Sequence, residues 1–130
     1  MKSFDRPVTI MPTAPGSLAS FVVLDGVRTG PLVSQIWWPK DVSFQYGEPV
    51  PGPCDSPHVG VWSDERARVV QELTPDGRYD ETRNGRRHAY RGNFWIAGDS
   101  VVYHDDLDFW AYGEVVDGVL VHADFRFRRV

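Results

Sequence analysis

The 130 residues predict an all-β protein: a small antiparallel up-and-down β-barrel preceded by an N-terminal extension of short strands. Three observations carry this expectation. Turn signals recur at short intervals after residue 55, at Pro75-Asp76-Gly77, Asn84-Gly85 and Asp117-Gly118. Asn-Gly and Asp-Gly suit two-residue hairpins because both central residues of that turn need positive φ. The segments between the turns are rich in Val, Tyr, Phe and Trp, which pack well on a pleated surface, and aromatics reach 13% of the chain. No interval leaves room for a long helix, and Ser63 to Arg68 would cap a single turn at most. Short strands at regular spacing mean a sandwich or a barrel.

From the start of the chain, Pro7, Pro12 and Pro15 mark an arm, with Val8-Thr9-Ile10 as an edge-strand candidate. Phe21–Leu24, Leu32–Trp38 and Val42–Tyr46 are further short strands. Trp37 and Trp38 face opposite ways if extended, so one enters the core and the other covers a pocket or a partner chain. Residues 48–57 hold four prolines and form a stiff connector. Residues 1–54 are therefore read as the extension and 55–130 as the barrel, together one compact domain. The barrel strands are expected at His58–Trp62, Arg68–Leu73, Arg78–Arg83, Arg87–Ile96, Ser100–His104, Phe109–Val116 and Val119–Arg128. That makes seven, or eight if Arg87–Ile96 breaks at Gly92.

Composition narrows function. A formal net charge of −4 argues against a general phosphate-binding surface and hence against nucleic acid. Arg83, Arg86 and Arg87, and Arg126, Arg128 and Arg129, read as solvated faces. A single cysteine, Cys54, permits no intrachain disulfide and no cysteine zinc site, so a reducing cytoplasm is the expected compartment. No signal-peptide pattern and no apolar run of membrane-spanning length is present.

The turns also predict which side chains meet. A two-residue loop at Asn84-Gly85 sets Glu81 opposite His88 and Tyr79 opposite Tyr90, and a four-residue turn through Pro75-Asp76 aligns Glu72 with Tyr79. One face then carries Glu72, Tyr79, Glu81, His88, Tyr90, Phe94 and Ile96, and the other reads as solvent-facing. The Asp117-Gly118 hairpin sets Glu114 opposite Val121, Tyr112 opposite Ala123 and Trp110 opposite Phe125, again an aromatic face with one carboxylate. A single bulge would invert either assignment.

Carboxylates among rings suggest two chemistries. They orient a ligand in a mostly apolar pocket, or a desolvated carboxylate beside an imidazole acts as a general base. A cross-strand Glu81–His88 pair at the rim, with Glu72 and Glu114 in water, is the purely structural alternative. Tyr103-His104-Asp105-Asp106 and His122-Ala123-Asp124 match no established metal spacing and read as a polar loop capping one end. No nucleophile elbow, phosphate loop or dinucleotide fingerprint is found, so no metal and no cofactor are expected.

Residues 55–130 also contain the ordered series His58-x-Gly60-x-Trp62, Gln71-Glu72-Leu73-x-Pro75-x-Gly77-Arg78-Tyr79, Ala89-Tyr90-x-Gly92, Tyr103-x-Asp105-Asp106 and His122-Ala123. This series resembles a small family of uncharacterised bacterial proteins with a streptavidin-like barrel. The opening Gly-x-Trp is similar to the first-strand signature of the wider avidin and lipocalin (calycin) barrels, where the Trp packs across the base. The resemblance implies a barrel able to hold a small molecule. The leading expectation is a binder of a small, largely apolar ligand, lined by Tyr79, Tyr90, Phe94, Trp110, Tyr112, Glu114 and Phe125. The alternative is a cofactor-independent cyclase, isomerase or dehydratase acting on a hydrophobic metabolite, with Glu72, Glu81 and His88 as the acid–base groups. A third reading is an interaction protein with a filled core that forms a homodimer through its N-terminal strands.

Overall fold

Each of the three turn signals becomes a hairpin, and the strands they join close into a barrel. The computed structural model describes residues 50–122 and 124–130, and before them the backbone of five strands. These are β1 (Lys2–Ser3), β2 (Val8–Ala14), β3 (Ser17–Leu24), β4 (Ile36–Trp38) and β5 (Val42–Phe44). Eight more follow: β6 (Gly60–Asp64), β7 (Val69–Leu73), β8 (Arg78–Arg83), β9 (Arg86–Ala97), β10 (Ser100–Asp105), β11 (Trp110–Val116), β12 (Val119–His122) and β13 (Phe125–Arg129). Strands β6 to β13 pair antiparallel in chain order, and β13 returns to β6, so the meander is a closed eight-stranded barrel. Among the described residues there is no helix, and none long and apolar enough to cross a membrane. The four short strands expected before residue 48 overlap β2 to β5, and the rest of Leu32–Trp38 and of Val42–Tyr46 lies outside the described residues. There β2 pairs with β3 and β5 in a small sheet of its own, while β4 adds to the free edge of β11. Which of Trp37 and Trp38 turns inward lies outside the described residues.

The tight turns have the backbone their sequences demand. Asn84 and Gly85 have φ of 50° and 78°, and Asp117 and Gly118 have 50° and 79°, the left-handed pair of a type I′ turn. At the β6–β13 seam only two residue pairs form, and the buried Asp64 carboxylate completes it. It accepts the Arg126 N–H at 2.9 Å and the Ala67 N–H at 3.0 Å. Burial pushes this carboxyl up, but those N–H groups and Arg66 outweigh it and hold it below the ordinary carboxylate range.

The end of the barrel near residues 74–77, 98–99 and 117–118 is packed solid. Trp62, Leu73, Phe94, Val101, Leu120 and Phe127 are buried there. The Trp62 indole N–H donates to the His58 carbonyl at 2.9 Å, and His58 Nε2 lies 2.8 Å from an Asp99 carboxylate oxygen. Cys54 N–H donates to the Pro75 carbonyl at 2.9 Å, tying the proline-rich connector to the same end. Burial raises the Cys54 thiol above its ordinary value, which suits an inert packing residue.

Four expectations about pairing are corrected. The eighth strand comes from Val119–Arg128, which divides into β12 and β13 so that His122 pairs with Phe125; Arg86–Ala97 runs unbroken through Gly92. The β7–β8 loop is one residue longer than expected. Thr74 N–H and hydroxyl both donate to the Arg78 carbonyl, Leu73 rather than Glu72 sits opposite Tyr79, and Gln71 sits opposite Glu81. That one residue rotates β7 by a face. On the next hairpin the register slips between Glu81 and Arg83, His88 takes φ of 58°, and Glu81 meets Tyr90.

The fourth correction concerns β11 and β12. The register is as expected, with Glu114 opposite Val121, but the faces are exchanged. Ala111, Gly113 and Val115 point inward with Leu120 and His122. Trp110 and Tyr112 lie on the outer face and are nonetheless buried. Trp110 stacks on His104 and Trp95 at 3.9 and 5.9 Å between centroids, on the side where β3 approaches β9 and β4 joins β11. The inward glycine has a steric reason: a Cβ on Gly113 would lie 3.3 Å from the Tyr103 ring and hydroxyl.

Candidate functional site

The other end of the barrel is open. An eight-stranded barrel is just wide enough for side chains to fill or for one small ligand, and here filling stops halfway. A cavity of about 150 Å³ is lined by Tyr79, Glu81, Arg83, Tyr90, Tyr103, Asp105, Phe109, Ala111, His122, Asp124 and Phe125. The cross-strand rows explain the grouping. Gln71, Glu81 and Tyr90 form one row; Tyr79, Gly92 and Asp105 form the next; Phe94, Tyr103 and Ala111 form a third. Gly92 is required in its row, since a Cβ there would fall 2.2 Å from the His104 carbonyl oxygen and 2.4 Å from the Asp105 Cα. The first half of β9 has no partner on β10, so the β8–β9 hairpin runs past the rim and carries Arg83 and Tyr90 to the mouth.

One wall is a hydrogen-bonded chain. The Tyr103 hydroxyl donates to Gln71 Oε1 at 2.8 Å. Gln71 Nε2 donates to Glu81 Oε2 at 2.9 Å. Arg83 donates from Nη2 and Nε to Glu81 Oε1 at 2.9 and 3.1 Å. Gln71, Glu81 and Tyr103 are all buried, and a buried carboxylate is stable only when paired and hydrogen-bonded in this way. The Arg83 guanidinium also lies 4.5 Å from the Tyr90 ring centroid and 5.1 Å from that of Phe125, so charge and two π faces hold it at the mouth.

The opposite wall is organised by Asp105, Tyr79 and His122. Asp105 Oδ1 accepts the Leu107 and Phe109 N–H groups at 2.8 and 2.9 Å, which fixes the β10–β11 loop as the polar cap its aspartates suggest. Asp106 in the same loop pairs with Arg78 at 2.9 and 2.6 Å. Tyr79 meets Tyr103 edge-on at 5.1 Å, and Tyr103 lies 4.6 Å from the His122 ring. His122 Nδ1 is 3.2 Å from the Tyr112 carbonyl oxygen, a contact that places the proton on Nδ1 and leaves Nε2 as an acceptor. Burial drives the His122 pKa down, against the pull of the Glu81 charge, so the ring is neutral at pH 7. Burial likewise raises the Tyr79 hydroxyl, reinforced by the Asp105 and Glu81 charges, and raises that of Tyr103; both remain protonated.

Of the residues singled out from sequence, Tyr79, Glu81, Tyr90 and Phe125 line the cavity. Phe94 is buried below it, beside Tyr103. Trp110, Tyr112 and Glu114 lie on the outer face, where the Tyr112 hydroxyl meets Ser100 Oγ at 3.1 Å and the Glu114 carboxylate at 3.4 Å. Glu72 is exposed opposite Asp80. His88 is outside too, its Nδ1 2.5 Å from Asp80 Oδ2. The expected grouping of Glu72, Glu81 and His88 therefore does not form; Glu81 meets Gln71 and Arg83 instead. Sequence reasoning passed over Gln71, Arg83, Tyr103, Asp105, Phe109 and His122. The small residues Ala111 and Gly113 on one face of β11 were the available signal, since small residues inside a narrow barrel make room for a large neighbour. Among the described residues no three His, Cys, Asp or Glu side chains converge as metal ligands.

The profile of a protein family described as Agrobacterium tumefaciens protein Atu4866 matches residues 55–129. The solution structure of the protein Atu4866 from Agrobacterium tumefaciens is 40% identical to this chain, with a TM-score of 0.50; the match covers 58% of this chain and 98% of that one. No curated protein matches. The matched stretch coincides with the barrel, and the chain belongs to the Atu4866 family.

Proposed function

We propose that this member of the Atu4866 family binds a small, largely apolar molecule inside its barrel. The observation that carries the reading is the half-filled interior. Rings of Tyr79, Tyr90, Tyr103, Phe109 and Phe125 surround about 150 Å³ of space, and a few buried polar groups converge on it, the usual composition of a small-molecule site. A cavity of that size suits one ring or a comparable body; an apolar cavity of about 150 Å³ takes benzene. Eight strands closing first to last behind a Gly60-x-Trp62 opening also support kinship with streptavidin- and lipocalin-type barrels, which hold one ligand at this position. With a single cysteine in the chain, we place the binding in a reducing cytoplasm.

A second reading, cofactor-independent acid–base catalysis on a hydrophobic metabolite, is favoured by one observation. His122 is neutral and presents an acceptor nitrogen to the same cavity as the Tyr79 hydroxyl, a base and an acid in one apolar site. Turnover of a bound compound that disappears in His122→Gln, with binding retained, would establish it.

The binding reading is tested by thermal unfolding with a panel of single-ring compounds. A true ligand raises the melting temperature progressively with its concentration. Ala111→Phe, which fills the cavity from its wall, should fold and lose that response; Ala111→Leu serves if Phe overpacks. No response to any compound, or an equal response in both filled variants, contradicts the reading.

A further inference from the structure

Apart from the exposed Asp124 at the mouth, the polar atoms around the cavity fall into two sets. Tyr103, Gln71, Glu81 and Arg83 satisfy one another. The Tyr79 hydroxyl, Asp105 Oδ2 and His122 Nε2 have no protein partner among the described residues, although these residues are only 7%, 6% and 8% exposed. Leaving such groups dry and unpaired is costly. All three can accept a hydrogen bond: a carboxylate oxygen only accepts, the neutral imidazole accepts at Nε2, and a phenolic oxygen can accept.

They also cluster. Tyr79 and Asp105 are joined through Gly92, which puts no side chain between them. Tyr79 and His122 both pack against Tyr103, and Asp105 follows Tyr103 by two residues on the inward face of β10. The charges are unequal as well. Glu81 is paired with Arg83, whereas Asp105 has no cationic partner among the described residues. The Tyr90 and Phe125 faces already hold Arg83, and the remaining rings of the lining, Tyr79, Tyr103 and Phe109, favour a cation over an anion.

We propose that the cavity is a site for an organic ammonium of single-ring size, whose –NH3+ group donates to Asp105, His122 and Tyr79 while its body lies against Tyr90, Tyr103 and Phe125. A primary ammonium brings three donors to three acceptors and a positive charge to an uncompensated carboxylate. This rests on the binding reading above and names the ligand's chemistry.

The test uses the full chain and three compounds of nearly one shape: benzylammonium, benzyl alcohol and benzoate. Binding is followed by calorimetry and by NMR shifts of the Tyr79, Tyr103 and His122 rings. Benzylammonium should bind about tenfold or more tightly than benzyl alcohol, as charge-assisted hydrogen bonds exceed neutral ones, and benzoate should bind weakest. In Asp105→Asn the amide oxygen can still accept the Leu107 and Phe109 N–H groups, and the preference for the cation should collapse. Tyr79→Phe, which removes one acceptor, should also weaken benzylammonium more than benzyl alcohol. Equal binding of the alcohol, a preference for benzoate, or a cation preference that persists in both variants overturns the ammonium assignment and leaves cavity binding standing. Failure of all three compounds to bind overturns both.

Discussion

Replacing Glu81 by Ala should destabilise the barrel by roughly 3 kcal/mol, and replacing it by Gln by only about 1. The difference comes from what each change leaves unpaired. In Glu81→Ala, Gln71 Nε2 loses its acceptor at 2.9 Å, and a fully buried amide donor without a partner costs about 1–3 kcal/mol. The lost ion pair adds less. Glu81 is buried, but the Arg83 side chain is 35% exposed and can turn to water, so its share is discounted to about 0.5–1 kcal/mol as for surface pairs. Glu81→Gln keeps an oxygen for Gln71 but turns its NH2 toward Arg83, which loses the charge and both hydrogen bonds and swings to water instead. For a domain of this size each kcal/mol moves the melting temperature by about 3–4 °C. The expected losses are therefore about 10 °C for Ala and about 3 °C for Gln, read by calorimetry and urea titration. An Ala variant within about 1 kcal/mol of the parent, or a Gln variant as damaged as Ala, would refute the view that the hydrogen-bonded chain, rather than the charge, holds this wall.

Gly92→Ala should cost about 3 kcal/mol or more, the upper range of overpacking, because its Cβ would meet the His104 carbonyl oxygen at 2.2 Å; normal thermal stability of this variant would contradict the β9–β10 geometry. The buried His122 has its pKa depressed from 6.5, so below about pH 6.5 the unfolded chain takes up a proton that the folded ring refuses. That contribution to stability is complete above the unfolded value and is lost as pH falls, with a slope of at most about 1.4 kcal/mol per pH unit. Unfolding followed from pH 7.5 to 5.5 should show the parent losing more stability than His122→Gln, and parallel curves would contradict the buried neutral ring. Glu72→Ala and His88→Ala should each change stability by less than about 0.5 kcal/mol and leave ligand responses unchanged, since both side chains lie outside the barrel; a lost response in either would mean the observed register is wrong.

Local chemistry made the hairpins legible. Asn84-Gly85 and Asp117-Gly118 announce turns because few other pairs tolerate positive φ at both positions, and the register of Glu114 against Val121 followed at once. Which face turned inward was harder to read. On β7 the answer depended on one residue in the Thr74–Arg78 loop, on β9 on the bulge at His88, and neither leaves a mark in alternation. On β11 the pattern itself misled. Trp110 and Tyr112 read as the core face, yet both faces of that strand are buried, and the interior needed Ala111 and Gly113 to make room for Tyr103. His122 shared that fate, being read as solvent-facing because it alternates with the apolar Val121. The site was thus half legible, with Tyr79, Glu81, Tyr90 and Phe125 found and the opposing wall of Asp105 and His122 missed.

The central claim is that the barrel holds a small molecule, and native mass spectrometry of the full chain purified from its own host under mild conditions tests it most directly. A stoichiometric adduct of single-ring size, displaced when Ala111→Phe fills the cavity, is the expected result. A bare mass that stays bare after exposure to a host extract would contradict the claim and point to an interaction protein whose interior stays empty.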